Sequence, residues 1–499
     1  MSSAAKALDG TARFSRSQLD PLLSPVLAAE LPGLANALDE DAARPLLQAA
    51  LFGDGARRQI VRCRPVGAMY LGGDSCVLRY ELEVRDTASG EAIEPLVLGR
   101  VFRDHTACAA FLRDRLEPAA TRLDGHPQLA LFRTPVALIE PLGMAVHAFP
   151  IHPELPALGD ATDRGRLIDL VAERVPDIRE GRFTIRDVRV EVAHIGRFPR
   201  CTLRYTFEGT ATGRAPHRLV LYGKVAGDRA GDVTTSVVAA LRERLGGGNR
   251  VNIPRVLGFW PDWRLLLLEA IPGRPFIKPL LRAHLAGSET PHAGAPALEA
   301  AIAACGRVAA AIHTTKIGLG GRGGLDDELA CSGRSIQALR RISPDLGAEL
   351  HAWHGRIAAC ARRAPPLPLS FSHGDFTETN IISDGLAHGL VDFDSVCQAE
   401  PALDLGQFLA RQRLAVVKYQ RPDAPLPAAE TERLCALLLE AYVDAAGCDA
   451  AAAERLRARV PVYETLMLLR LALHSWQKFK VGRLANVVTL LAERIACLA

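Results

Sequence analysis

The chain has 499 residues, of which 48% are hydrophobic and 23% charged, a composition that excludes a mainly disordered protein. The length corresponds to more than one ordinary domain, and the formal charge of +4 is too small to predict nucleic-acid binding. No apolar run approaches the ~20 residues of a membrane-spanning helix, and the amino terminus lacks the apolar core of a secretory signal. The 11 Cys residues are scattered without a C-x-x-C pair, which favours reduced thiols. We therefore expect a cytoplasmic protein with no nucleic-acid or membrane partner.

Residues 1–29 are predicted to be an amino-terminal segment that precedes the first structured region. Apolar residues at helical spacing then predict a helix over Ala42–Leu51, and alternation predicts a strand over Cys76–Glu83. A further strand ends at Arg100, and a helix is predicted over Cys108–Leu123. Strands combined with one helix in this way favour an α+β layer with an antiparallel sheet.

The next region has the same order of elements. A helix is predicted over Arg164–Val175 and a strand over Cys201–Phe207. A strand ending at Lys224 and a helix over Asp232–Leu245 follow, and the last strand includes Leu265–Glu269. The predicted fold class is again α+β.

The two regions also match in sequence. Four short segments recur in the same order, and the first two recur after 124 and 125 positions. The four pairs are 30–34 with 154–158, 76–80 with 201–205, 96–98 with 219–221, and 148–153 with 270–275. Because one such match could be chance but four in order are much less so, we predict a duplication over 30–150 and 154–275.

Beyond residue 275 the pattern becomes helical. Ala286–Ala297 contains Gly and Pro and is predicted to be a linker. Helical periodicity then dominates 276–499, apart from a short segment between Leu367 and Ala399. The predicted helices are Leu298–Thr314, Glu349–Arg362, Ala428–Ala446 and Val460–Lys480. A non-helical segment within a helical domain often carries chemistry.

That segment contains two acids and an amide at suggestive positions. Asp375 lies on a turn, Asn380 follows five residues later, and Asp392 ends the apolar stretch after the next turn. Two short strands joined by that turn would bring Asn380 and Asp392 together, and their oxygens are hard ligands suited to Mg²⁺. Asp375 would remain free to accept a proton. Phosphoryl transfer requires such a set.

Three linked motifs resemble those of the aminoglycoside phosphotransferase and choline kinase family. They are His373-Gly374-Asp375-x-x-x-x-Asn380, Val391-Asp392-Phe393-Asp394 and Glu400-Pro401-x-x-Asp404-Leu405. The resemblance implies a bilobal protein-kinase-like fold. Its small lobe would be 154–275 with a hinge near 266–273, and its helical large lobe 276–499 with the catalytic segment 371–405. The region 30–150 would then be a degenerate small lobe without a large lobe of its own.

The resemblance also implies roles for individual residues. Asp375 would be the catalytic base, and Asn380 and Asp392 would bind Mg²⁺. His373 and Asp404 would brace the catalytic loop.

The resemblance further places the nucleotide. Glu269 and Ile271 lie in the implied hinge, whose backbone would hold adenine. Lys224 ends an apolar strand where the family has its phosphate-binding Lys, and it is the only Lys between Ala7 and Ile277. Since Arg serves elsewhere as the surface cation, this single ammonium favours a specific role on the phosphates.

Two features depart from the family pattern. Thr234, Thr235 and Ser236 lie where the family has a Glu that orients the Lys, and the loop Gly196–Arg200 contains one Gly and a Pro. A Pro removes one backbone donor from a phosphate-binding loop.

The predicted function is an ATP- and Mg²⁺-dependent phosphotransferase that phosphorylates a hydroxyl of a small molecule. A sugar, an amino alcohol or an aminoglycoside-like compound are all open as acceptor. The alternative is an inactive pseudokinase that acts as a nucleotide-binding or regulatory module. In the first repeat, Arg100 replaces the Lys and no His-Gly-Asp motif follows. That repeat would cap the kinase, shape the acceptor site or hold another subunit; a second nucleotide site is the other hypothesis.

Overall fold

The protein was analysed as a computed structural model. It describes residues 24–498 except 74, 197–198, 212–215, 228–229, 246–250, 288–295, 422 and 424. The amino-terminal segment 1–29 is therefore described only from residue 24. Parts of the predicted linker Ala286–Ala297 and of the loop Gly196–Arg200 lie outside the described residues.

The helices of the described chain are α1 (Pro25–Glu30), α2 (Leu34–Leu38), α3 (Glu40–Leu51), α4 (His105–Phe111), α5 (Glu117–Thr121), α6 (Leu158–Thr162), α7 (Arg164–Arg174), α8 (Pro176–Arg179), α9 (Ala230–Leu245), α10 (Ile277–Leu285), α11 (Leu298–His313), α12 (Leu325–Ile342), α13 (Pro344–Arg363), α14 (Ala402–Tyr419), α15 (Ala428–Ala445), α16 (Ala450–Gln477) and α17 (Val481–Ala496).

The strands are β1 (Arg58–Tyr70), β2 (Ser75–Asp86), β3 (Ala92–Ile93), β4 (Leu96–Phe102), β5 (Val136–Ile139), β6 (Met144–Ala148), β7 (Phe183–Ile195), β8 (Arg200–Ala211), β9 (Pro216–Ala226), β10 (Val256–Trp260), β11 (Leu265–Glu269), β12 (Arg274–Pro275), β13 (Gly321–Arg322), β14 (Ser370–Ser372), β15 (Ile381–Ser383), β16 (His388–Leu390) and β17 (Cys397–Ala399). The predicted combination of helices and antiparallel sheet is confirmed.

The chain divides into two compact units. The first comprises residues 1–231, 257–267 and 475–481, and the second comprises 232–256, 268–474 and 482–499. Both predicted repeats thus lie mainly in the first unit, and most of the predicted large lobe lies in the second. The chain passes from the first unit to the second between Leu267 and Leu268, inside the stretch predicted as a hinge.

The first unit contains a sheet with strand order β1-β2-β4-β6-β5, and β3 pairs with β2 at its side. In its antiparallel register, Cys76 is opposite Val101 and Val77 is opposite Arg100. Tyr80 is fully buried, and its hydroxyl donates a hydrogen bond to the carbonyl oxygen of Ala37 at 2.6 Å. This hydrogen bond joins α2 to the face of the sheet on which Tyr80 lies, which we call the covered face.

The second sheet of this unit has the corresponding order, β7-β8-β9-β11-β10. Cys201 is opposite Val225 and Thr202 is opposite Lys224. Buried Tyr205 donates its hydroxyl hydrogen bond to the carbonyl oxygen of Ala161 at 2.9 Å. Both sheets therefore have the same strand order, register and tyrosine contact. The duplication stays a prediction, which these shared features support.

The helices of the structure differ from the predicted ones in several details. The helix expected over Cys108–Leu123 is interrupted by one turn of π-helix at Leu112–Leu116, directly before Pro118 in α5. Pro lacks the backbone N–H that would continue the ladder of hydrogen bonds. α16 begins at Ala450, earlier than predicted, and ends at Gln477. α12 was not predicted, because polar and charged residues dominate its sequence and few of its side chains are buried.

Helices dominate the second unit, and two small sheets lie among them. One sheet has the order β12-β15-β16 and the other β13-β17-β14. All four strands of the catalytic segment, β14 to β17, belong to these sheets. α14 begins directly after β17 and is buried along most of its length, so it forms a rigid support for the segment.

Candidate active site

The loop after β14 turns sharply at Gly374, which has φ +75°. A side chain there would be strained, and its Cβ would collide with the carbonyl oxygen of Ser395. The backbone N–H groups of His373 and Gly374 donate hydrogen bonds to Asp404 at 2.7 and 2.9 Å. The turn is therefore held to the first turn of α14 by one carboxylate.

Asp404 is completely buried. Burial by itself would raise the pKa of its carboxyl group. The hydrogen bond from His313 Nε2 at 3.0 Å, the charge of that ring and the N–H of His373 have the opposite effect. The net result is a lowered pKa, so Asp404 is ionised at neutral pH. The positions of His373 and Asp404 are consistent with the bracing role that the resemblance implied.

The side chain of His373 supports the other end of the segment. Its Nε2 lies 3.0 Å from the carbonyl oxygen of Val391, and its Nδ1 accepts a hydrogen bond from the backbone N–H of Asp375 at 3.3 Å. These contacts fix the neutral tautomer with the proton on Nε2. His373 thus joins the Asp375 turn to the strand end that precedes Asp392.

The half-buried carboxylate of Asp375 has one donor on each oxygen. Gln407 Nε2 donates to Oδ1 at 3.0 Å, and Asn380 Nδ2 donates to Oδ2 at 3.1 Å. Asn380 Nδ2 also reaches the backbone carbonyl of Asp375 at 2.8 Å. The carboxylate is thereby fixed in orientation, while each of its oxygens keeps lone-pair capacity for a further donor.

The predicted hairpin is formed by β15 and β16, and its pairing places Asn380 next to Val391, the residue before Asp392. Ile381 is opposite Leu390, and the backbone N–H of Val391 donates to the carbonyl oxygen of Asn380 at 3.0 Å. Asp392 follows directly, in the left-handed region at φ +71°. Because Nδ2 of Asn380 is used on Asp375, its Oδ1 is the atom left to bind a cation.

These donors fit Mg²⁺ by their chemistry. One amide oxygen and one carboxylate are hard ligands, and Mg²⁺ commonly takes only one or two protein ligands, with waters and substrate phosphates completing the shell. Among the described residues no group of three His, Cys, Asp or Glu side chains forms a metal site.

The predicted hinge residues lie in the second unit beside the hairpin. The backbone N–H of Glu269 donates to the carbonyl oxygen of Arg255 at 2.9 Å, and its carboxylate lies 3.3 Å from the Arg255 guanidinium. Ile271 lies against Gly389 of β16, where any larger residue would collide with its Cδ1. The adenine-binding role of Glu269 and Ile271 remains a prediction.

Lys224 belongs to the first unit. It is half-buried on β9, opposite Thr202 on β8. The other predicted site residues, from Glu269 to Asp404, belong to the second unit. The role of Lys224 on the nucleotide phosphates therefore remains a prediction.

Sequence reasoning missed Gln407 and did not assign a role to His313 or Tyr442. Gln407 bridges the catalytic turn, because its Oε1 also accepts the N–H of Phe376 at 3.0 Å. His313 joins Asp404 to the hydroxyl of Tyr442, which lies 3.1 Å from Nδ1. The position of Gln407 three residues after Asp404 gave a usable signal, since residues at that spacing share a helix face.

Two further structural findings concern the whole described chain. All 11 cysteines are free thiols. Of the helices in the described ranges, none combines the length and the apolar character that crossing a bilayer requires.

The model of the family described as "Phosphotransferase enzyme family" matches residues 236–457. No curated protein matches the chain significantly. Several solved structures are similar. A choline/ethanolamine kinase family protein from Mesorhizobium loti is 19% identical with a TM-score of 0.41, over 67% of this chain and 98% of that one. An ethanolamine kinase from Plasmodium vivax is 10% identical with a TM-score of 0.43, over 68% and 91%. A glucosamine kinase is 16% identical with a TM-score of 0.42, over 86% and 93%.

At such identities and TM-scores the assignment rests on the family match and not on the solved structures. The predicted resemblance is confirmed by that match, and so, at the level of the family, is the prediction of a phosphotransferase. Residues 236–457 contain the whole catalytic segment 371–405 and carry the sequence pattern of the phosphotransferase enzyme family.

Proposed function

We propose that the protein is an ATP- and Mg²⁺-dependent phosphotransferase that phosphorylates a hydroxyl group of a small molecule. The observation that carries this proposal is the Asp375 carboxylate, held by Gln407 at one oxygen and by Asn380 at the other. A carboxylate fixed in this way, in the same segment as two hard oxygen ligands, suits the transfer of a phosphoryl group to an alcohol.

Asp375 accepts the proton of the acceptor hydroxyl. The two hydrogen bonds from amide donors stabilise the charged carboxylate and restrict its rotation, so its lone pairs are presented in a fixed direction. Asp404 and His373 hold the turn that carries Asp375, through the backbone contacts at 2.7 to 3.3 Å.

Asn380 Oδ1 and the Asp392 carboxylate would hold Mg²⁺ against the nucleotide. When bound, the cation supplies positive charge that offsets charge developing on the phosphates. Lys224 would contribute a second positive charge to the phosphates, and the backbone of Glu269 and Ile271 would hold adenine. These assignments rest on the resemblance stated above.

The acceptor belongs to the class of polyols, amino alcohols or aminoglycosides. A screen for ADP release by the purified protein, with sugars, amino alcohols and aminoglycosides as acceptors, identifies it. We expect one of these groups to give turnover that depends on both ATP and Mg²⁺. Nucleotide binding without turnover on any acceptor would instead favour the pseudokinase alternative.

The role of Asp375 is tested by Asp375→Asn. The amide keeps the size of the side chain but cannot accept the hydroxyl proton, so kcat should fall by about 10² to 10⁴. Asp384→Asn is the matched control, because Asp384 lies on the exposed turn of the same hairpin and its Oδ1 contacts only local backbone N–H groups. Near wild-type kcat in Asp375→Asn would contradict the proposal.

Gln407 is a positioning residue, and Gln407→Glu separates its role from a purely structural one. The substitution keeps the acceptor for Phe376 but puts a second carboxylate next to Asp375 Oδ1. A carboxylate cannot donate the hydrogen bond that the amide gives to Oδ1 and repels that oxygen instead, so kcat should fall at least about tenfold while KM changes little. Gln420→Glu, just after the end of α14, should leave kcat unchanged. An unchanged kcat in Gln407→Glu would show that Gln407 does not position Asp375.

A further inference from the structure

A cavity lies against the first sheet, within the first unit, and the proposed kinase chemistry does not use it. It encloses about 260 Å³. That volume exceeds the ~150 Å³ of an engineered protein cavity that binds benzene. Residues of β1, β2, β4 and β6 form one wall, and residues flanking the β7–β8 connection form another. The space is therefore large enough for a small organic molecule.

The side chains that face this cavity carry a marked excess of positive charge. Four cations line it, namely Arg79, Arg100, Lys478 and Lys480, against one anion, Glu154, so the formal sum over the described lining residues is +3. Glu154 also lies 3.9 Å from Arg115, which partly offsets its charge. Met69, Val77 and Leu98 supply an apolar floor. This combination suits an anionic molecule with an apolar part.

Of the three histidines that line the cavity, His147, His152 and His194, burial keeps the first two neutral. Burial and the neighbouring His152 lower the pKa of His147 to about 3, and burial lowers the pKa of His152 to about 4. The backbone N–H of Glu154 donates to His152 Nδ1 at 3.2 Å.

Two buried polar atoms in this wall lack hydrogen-bond partners among the described residues, Arg79 Nε and His147 Nδ1. Only 7% of the surface of His147 is exposed. Buried polar groups are normally satisfied, and an unsatisfied one indicates a missing water or ligand. Arg100, by contrast, is oriented by Ser75 Oγ at 3.0 Å and by the rings of Phe102 and Phe111.

The register of the sheets relates this cavity to the predicted nucleotide site. Arg100 is opposite Val77 in the first sheet, as Lys224 is opposite Thr202 in the second. In both sheets these residues lie on the face opposite to the buried tyrosine. A guanidinium binds phosphate oxygens in a planar, two-pronged manner and keeps its charge at all physiological pH values.

We propose that this cavity is a second ligand site, which binds a small organic phosphate monoester through Arg79, Arg100 and the two lysines. A phosphate monoester carries close to two negative charges at neutral pH. It therefore matches a site with a formal charge of +3 better than a carboxylate, which carries one. The apolar floor accommodates the organic group of the ester.

Phenyl phosphate is a suitable probe, because it combines a small ring with the phosphate dianion. Calorimetric titration of the full-length protein should give one site. Arg79→Leu should weaken binding at least about tenfold, because a charge-assisted contact is lost. Met69→Trp should do the same by filling the floor of the cavity. Arg85→Leu is the matched control, since Arg85 is an exposed Arg on the same strand; it should change the affinity less than about twofold.

Three comparisons make the result decisive. Benzoate should bind more weakly than phenyl phosphate, and equal affinities would overturn the assignment to phosphate esters. Lys224→Met should keep the affinity for phenyl phosphate, because Lys224 belongs to the other site; loss of binding there, with Arg79→Leu unaffected, would place the probe in the kinase site. If Arg79→Leu does not fold, Met69→Trp and Lys480→Gln decide, and unchanged affinity in both overturns the proposal. Absence of any binding to the wild-type protein does so as well.

Discussion

The two sheets of the first unit have the same framework and differ in the residues on one face. On the covered face, Tyr80 corresponds in register to Tyr205, and each donates a hydrogen bond to a helix carbonyl. On the opposite face, Arg100 in the first sheet corresponds to Lys224 in the second. Because side chains alternate between faces, the covered positions can keep the register while the opposite positions change their chemistry.

The glycines of the central strand illustrate the same constraint. Gly99 and Gly223 lie next to the rings of Tyr80 and Tyr205. A Cβ at Gly223 would collide with the Tyr205 ring, whereas a Cβ at Gly99 would collide with Met144 Sδ and crowd the Tyr80 ring. The lack of space for a Cβ requires glycine at this position in both sheets, although the next residue is Arg100 in one and Lys224 in the other. The fold of each sheet therefore depends on its covered face, and few residues on the opposite face carry a ligand role.

The largest expected difference between the sheets concerns catalysis. Lys224→Met removes the positive charge that we assign to the nucleotide phosphates, so kcat/KM for ATP should fall by about 10² to 10³. Arg218→Met, an exposed cation on the same strand, is the control and should change kcat/KM less than about twofold. Steady-state kinetics with varied ATP measure both effects. If the two substitutions lower kcat/KM equally, Lys224 has no specific role on the nucleotide phosphates.

The catalytic segment has no counterpart after the first sheet. Substitution of its buried carboxylate, Asp404, should have the next largest effect, in this case on stability. Asp404→Asn replaces Oδ2, which accepts from His313 and from the backbone N–H of His373, by an amide group that can only donate. The remaining oxygen can still accept the N–H of Gly374, and the free energy of unfolding should fall by about 3 kcal/mol at pH 7. Denaturant titration measures the loss.

The pH dependence of this loss has a definite sign. The folded protein lowers the pKa of Asp404 below its unfolded value, which is about 3.9. The ionised carboxylate therefore stabilises the protein above that value, and the stabilisation disappears as the pH falls through the folded pKa. The difference between wild type and Asp404→Asn should consequently narrow below about pH 4. A difference that grows with acid would contradict the assignment.

Smaller and equal effects are expected on the covered faces. Tyr80→Phe and Tyr205→Phe each remove one buried hydrogen bond and leave a carbonyl oxygen without that donor. Each should reduce the free energy of unfolding by about 1 kcal/mol. Thermal and denaturant unfolding of the two variants test whether the tyrosine hydrogen bond contributes equally to the stability of both sheets. A large loss of unfolding free energy in one variant and none in the other would show that the two sheets pack differently despite their shared register.

The smallest expected effect links the two sheets. His194, on β7, and Gly196, the first residue of the loop predicted to lie near the nucleotide, line the cavity of the first sheet. Phenyl phosphate should therefore change the KM for ATP by a factor of about two to five, with little change in kcat. Arg79→Leu is the control and should abolish the effect. An unchanged KM at saturating probe would show that the cavity and the loop are not coupled.

Much of the fold was predictable because periodicity reports which faces are buried. The strand Leu265–Glu269 and the helix starting at Leu298 have the predicted bounds or nearly so. α12 was missed, because burial of a few side chains against other helices, and not its own apolar pattern, stabilises it. The break in the helix after β4 was also missed, since a π-turn depends on local geometry that composition does not report.

The candidate site divides in the same way. By itself the sequence determined the acids, the amide and the glycine turn, because phosphoryl transfer restricts residue type and spacing so strongly that Asp375, Asn380 and Asp392 stood out. Only the tertiary structure decided how Asp375 is held, since Gln407 lies 32 positions away along the chain and reaches it through the packing of α14. It also decided that four separate cations face one cavity against the first sheet. Contacts between residues distant in sequence arise from folding, and no local pattern encodes them.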